Sequence, residues 1–188
     1  TGWVRAQAVA EEHKKAGEPS GVSQEIFGAL LLGQKKYDDS IATLKDAYSA
    51  TPQNARPMYS LVIAYLQAGK LNEAETFIQS VLAANQNNAE ALTLLGSIKE
   101  VQKKPQEAEA SYKLAIERQP ATPSGYLALS KYYFAQKREA DAEVIMRQAH
   151  DKVPGELGVN LDIASLIDCK GYVEGAIGGY EGQPKATH

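Results

Sequence analysis

Apolar residues along this chain recur three and four positions apart, the spacing of one face of a helix. Leu61, Val62, Tyr65 and Leu66 make one such stripe; Ala74, Phe77, Ile78, Val81 and Leu82 make a second a few residues on. Between them lies Ala68-Gly69-Lys70, whose glycine suits the tight corner after a helix. The pattern predicts a helical hairpin. It then returns: KLNEAETFIQSVLAANQNN, starting at Lys70, is answered by KPQEAEASYKLAIERQPAT, starting at Lys104, with Glu-Ala-Glu at the same offset. The period is 34 residues and holds without insertion.

Cutting after each polar close divides the chain into units 21–54, 55–88, 89–122 and 123–156, with a partial fifth at 157–182. Residues 1–20 read as a leading half-unit or capping helix and 183–188 as a tail. The expected fold class is all-α, a solenoid of stacked antiparallel helix hairpins. The prolines agree with this. Pro52, Pro120 and Pro154 end second helices, while Pro57, Pro105 and Pro123 fall in first turns, where a missing N–H costs nothing. Small residues recur where helices must approach: Gly28, Gly96, Ser130 and Ala164 in first helices, with Val62 the exception, and Ser40, Ala74, Ala108, Ala142 and Ala176 in second helices. Large residues alternate with them, Phe27, Leu61, Leu95, Leu129 and Ile163 in one set and Leu44, Ile78, Tyr112, Met146 and Tyr180 in the other. One hairpin cannot bury both of its faces, so stacking stabilises the array. The glycines of VEGAIGGYEG, from Val173 to Gly182, predict a weakly held last helix.

The period, the small–large alternation and the helix-ending proline together resemble the tetratricopeptide repeat family, over Gly21 to about Tyr180. QKKYDDSIATLKDAYSATPQN, from Gln34 to Asn54, comes nearest to the family pattern. Departures occur: Gln24 and Asn160 stand where a bulky residue is expected, Lys99 replaces an aromatic or aliphatic one, and Gln86 replaces the closing proline. The resemblance implies a right-handed superhelix whose first helices line a concave inner surface. It also implies a non-catalytic module for binding other proteins.

On that implied surface the residues not needed for hairpin packing form a stripe. Its members are Glu25, Ala29 and Leu32, then Arg56, Tyr59, Ile63 and Leu66, then Glu90, Thr93, Ser97 and Glu100, then Ser124, Leu127, Lys131 and Phe134. The expected groove for a peptide or helix of a partner protein comprises Leu32, Arg56, Tyr59, Ile63, Leu66, Thr93, Glu100, Leu127, Lys131 and Phe134. Tyr59, Ile63 and Leu66 are large apolar groups on a face that packing does not demand, the mark of a contact surface. The lysine–asparagine–arginine clamp with which chaperone-binding relatives grip a terminal carboxylate has no counterpart, because Glu25, Ala29, Ile63, Thr93 and Ser97 stand there. The alternative reading is a spacer or self-assembling scaffold segment of a longer bacterial array, of the envelope or exopolysaccharide-export kind, which would place it at the cell envelope.

Composition narrows the remaining classes. A formal charge of −3 disfavours a nucleic-acid partner, and no apolar run is long enough to insert in a membrane. Cys169 stands alone, and His13, His150 and His188 share no ligand spacing. No phosphate-binding or nucleophile-elbow motif occurs, so neither cofactor nor enzyme activity is expected. Glu73/Glu75 and Glu107/Glu109 imitate acid–base dyads but are expected on a solvated outer face near helix starts. The chain opens on Thr1 and reads as a fragment or processed form.

Overall fold

The computed structural model describes residues 20–153. They form the helices α1 (Ser20–Gly33), α2 (Tyr37–Ala50), α3 (Ala55–Gln67), α4 (Leu71–Ala84), α5 (Ala89–Val101), α6 (Pro105–Arg118), α7 (Pro123–Ala135) and α8 (Glu139–Lys152), and no strand occurs among the described residues. Each odd helix packs on the next even one as a hairpin, and each even helix packs on the odd helix that follows. The odd helices also touch one another, α1 on α3, α3 on α5 and α5 on α7. They therefore make the tighter, inner layer of a curved stack, with α2, α4, α6 and α8 outside. The expectations on 1–19 and 154–188, including Cys169 and the glycine-rich last helix, lie outside the described residues.

One turn geometry closes every described hairpin. Lys104 N–H reaches Lys99 O at 2.9 Å and Lys103 N–H reaches Glu100 O at 3.0 Å, a helix end built on a left-handed residue. That residue is Lys35, Gly69, Lys103 or Lys137, with φ of 61°, 72°, 62° and 59°. The expected glycine corner thus holds in one turn only; lysine takes the left-handed position in the other three. Asn54 and Asn88 open α3 and α5, their side chains accepting from Arg56 and Ala91 N–H, while Pro105 and Pro123 open α6 and α7.

The alternation of small and large residues is physical. A Cβ on Gly28 would sit 2.5 Å from Leu44 Cγ, and one on Gly96 would lie closer than 3.0 Å to three atoms of the Tyr112 ring. Ser40, fully buried, donates to Gly28 O at 2.8 Å, so even the hydroxyl at the α1–α2 contact is satisfied. Val62 and Ile78 are both fully buried at the corresponding places of the second hairpin. Phe27 departs from the expectation: it is 42% exposed.

Candidate functional site

The inner stripe is built from equivalent positions on α1, α3, α5 and α7. Its members are buried to very different degrees. Tyr59 and Leu66 of α3, with Leu32 of α1, are half-buried and pack against the largest core cluster, around Leu61, Val62 and Tyr65. The expectation that packing makes no use of Tyr59 and Leu66 is therefore corrected: α1, α3 and α5 lie close enough that their inward residues touch. Tyr59 faces Thr93 of the next inner helix, and burial raises its phenol pKa, with Thr93 opposing and Glu90 adding to the rise. Thr93 is itself buried and donates to Glu90 O at 2.8 Å. Ile63 is different. It stands 45% exposed on the inner side of α3.

Around it lie charges and hydroxyls. Arg56 is exposed and sits 3.6 Å from the buried Glu25 of α1. On α5, Ser97 and Glu100 hold the hydroxyl of Tyr112, which belongs to the outer helix α6 and reaches inward over Gly96; it donates a hydrogen bond to Glu100, and Ser97 lies 3.1 Å away. Burial first, then the Glu100 carboxylate, raise the Tyr112 pKa, so it remains a neutral donor. Farther along, Leu127 and Ser124 are half-buried, Lys131 is exposed, and Phe134 packs beside Leu129, Tyr132 and Tyr133. The structure thus brings Arg56, Tyr59, Ile63, Leu66, Thr93 and Glu100 onto neighbouring inner helices, and leaves Ile63 as the protruding apolar group.

The glutamates near the starts of the outer helices overturn part of another expectation. Glu73 and Glu107 are exposed, as expected, but Glu75 and Glu109 are half-buried at the joints between hairpins. Lys99, its side chain 9% exposed, lies 2.7 Å from Glu75 of α4 and 2.8 Å from Glu107 of α6, and Gln102 donates to Glu75 at 2.8 Å. Bonds from Lys99 and then Gln102 pull the Glu75 pKa down; burial opposes the charge on Lys99, but Glu107 and Glu75 outweigh it and raise the ammonium pKa. One repeat on, Glu109 accepts from Tyr133 at 2.9 Å and from Arg138 at 2.6 Å and pairs with Lys113 at 2.7 Å. Burial pushes its carboxyl up, yet these donors prevail and hold it at about 2. These groups bind hairpin to hairpin. Sequence reasoning missed them because the partners stand on different helices. The only signal was a lysine in an apolar register.

Among the described residues, no group of three or more His, Cys, Asp or Glu side chains is placed to hold a metal ion, and no helix is long and apolar enough to cross a membrane. The tetratricopeptide repeat family matches residues 31–98 and again 89–122. Human tetratricopeptide repeat protein 21A is 26% identical over 140 residues, 71% of this chain; the aligned part is 10% of that relative's length. Among solved structures, a thermophilic tetratricopeptide repeat protein of Thermus thermophilus superposes with a TM-score of 0.65 at 20% identity, covering 87% of this chain and 89% of its own. MamA of Desulfovibrio magneticus, from residue 41 to its end, gives 0.51 at 13% identity, covering 79% and 93%. The fold of the described helices is that of these repeat proteins.

Proposed function

The chain belongs to the tetratricopeptide repeat family, whose repeats are in general non-catalytic protein-interaction modules, and from that premise we propose that its concave face binds a segment of a partner protein. The observation that carries this reading is Ile63, a large apolar side chain left 45% exposed on the inner layer, where Tyr59 and Leu66 extend the apolar surface. Exposed apolar area of that kind is stabilised by contact with another chain. Rim groups then fix the orientation: Arg56 beside Glu25 at one end, Glu100 with Tyr112 at the other.

The test is affinity capture with three forms of the protein: wild type, Ile63→Glu and Ala83→Glu, the last on the exposed outer side of α4. Ile63→Glu should abolish capture with helical circular dichroism intact, and Ala83→Glu should leave it unchanged. Retention by Ile63→Glu and loss by Ala83→Glu would move the site to the convex face.

A further inference from the structure

We propose that the segment bound on this face is basic, with an apolar side chain seated against Ile63 and lysine or arginine side chains on either side of it; the proposal rests on the concave-face reading above. Helix α5 brings two carboxylates, Glu90 and Glu100, onto the inner stripe, and both are half-buried. Elsewhere a partly buried carboxylate has a cation at hand: Glu25 has Arg56, Glu75 has Lys99, and Glu109 has Lys113 and Arg138. Glu90 and Glu100 form no such pair among the described residues. Among the described residues Glu100 accepts the hydroxyl of Tyr112, a neutral donor, and has no cation beside it.

The cations of the stripe itself do not fill this role. Arg56 is turned to Glu25, and Lys131 of α7 has an interaction of its own. A carboxylate that has lost part of its hydration without gaining a cation favours one arriving on another chain. Positions 90, 93, 97 and 100 follow one side of α5, and ten residues of helix rise about 15 Å. An extended segment advances roughly 3.3 Å per residue, so basic side chains about four or five apart reach both carboxylates. The apolar residue between them then meets Ile63, which lies on α3 in the row adjoining Ser97.

The experiment is selection of a displayed random 12-residue peptide library on the purified chain, followed by measurement of each recovered peptide against variants. Peptides with lysine or arginine flanking an apolar residue should dominate. They should bind roughly tenfold more weakly to Glu100→Gln and to Glu90→Gln, weaken with added salt, and fail on Ile63→Glu. Glu100→Gln keeps an acceptor for Tyr112, so a loss there reports charge and not folding. Recovered peptides that depend on Ile63 but are neutral or acidic would overturn the basic segment and leave the groove standing. Peptides indifferent to Ile63→Glu, or none recovered at all, would overturn both.

Discussion

Lys99 places its ammonium 2.7 Å from Glu75 across the joint between two hairpins. One repeat later the same two positions hold Tyr133 and Glu109, joined at 2.9 Å; one repeat earlier they hold Tyr65 and Ile41, both buried in the largest apolar cluster. The described joints are thus apolar, then ionic, then phenol to carboxylate. A periodic chain could in principle stack out of order. Here a slip by one hairpin would set Lys99 against Ile41, taking away Glu75 and leaving the ammonium only the half-exposed Glu107 of its own hairpin. The ladder gives each outer helix one inner helix that matches it.

Lys99→Ala should therefore destabilise the array by about 3 kcal/mol, near the lower end for removing one member of a buried pair, because Glu107 is half exposed and can rehydrate. Lys99→Tyr should lose less, under about 1.5 kcal/mol, since a phenol donates to the corresponding carboxylate at Glu109. Urea denaturation of both variants decides. Equal losses would mean that a neutral donor cannot stand in for the ammonium.

Acid should weaken the joints. Glu75, Glu107 and Glu109 all have pKa values held below the ordinary 4.5 in the folded chain, Glu109 at about 2. Their contribution is complete above about 4.5 and is lost as pH falls toward those lower values. Lys99 and Lys113 are raised above 10.5, so their contribution is complete below that pH and is lost only as pH rises through the folded values. The urea midpoint of the wild type should decline between about pH 4.5 and about pH 2, and Glu109→Gln should decline less steeply. Parallel curves would show that Arg138 and Lys113 do not favour the charged form of Glu109.

The helices, their order and the all-α class were legible because a 3.6-residue stripe with prolines at its edges leaves little choice. Ile63 was legible for the same reason: its position lies off the packing stripe. Lys99 looked like a lapse, since reading one helix at a time hides Glu75 on α4 and Glu107 on α6. Tyr112 was legible as the large residue opposite Gly96, but not as a hydroxyl delivered to Ser97 and Glu100 on the inner face. The left-handed lysines were silent. Only the backbone angle reveals them, and Gly69 alone carried a composition cue.

Those lysines predict a stabilising substitution. Lys103, at φ 62°, strains a position that glycine occupies freely at Gly69. A non-glycine residue in this region costs roughly 1–2 kcal/mol, partly offset by the floppier unfolded chain that glycine brings. Lys103→Gly should gain about 0.5–1 kcal/mol, seen as a higher melting temperature. Gly69→Ala should lose a similar amount although a Cβ there meets nothing within 4 Å, which isolates the backbone as the cause. A neutral Lys103→Gly would indicate that the side chain contributes as much as its backbone costs.

Gly96 and Tyr112 make the most specific test of the small–large pairing. Alanine in place of an interior helical glycine ordinarily gains about 1 kcal/mol. At Gly96 its Cβ would lie closer than 3.0 Å to three atoms of a rigid, buried ring, and overpacking of that kind costs about 1–3 kcal/mol. Gly96→Ala should therefore destabilise, and should also draw the Tyr112 hydroxyl away from Ser97 and Glu100. The second hairpin supplies a remedy, because Val62 and Ile78 fill the corresponding places and are both fully buried. Gly96→Val alone should be worse than Gly96→Ala, while Gly96→Val with Tyr112→Ile should recover most of the loss. The residual deficit measures what the Tyr112 hydroxyl contributes through Ser97 and Glu100, about 1.5–3 kcal/mol for a hydrogen bond to a charged acceptor. Equilibrium denaturation of the two single mutants and the double mutant gives the coupling directly; additive losses would show that Gly96 and Tyr112 do not share the space between α5 and α6.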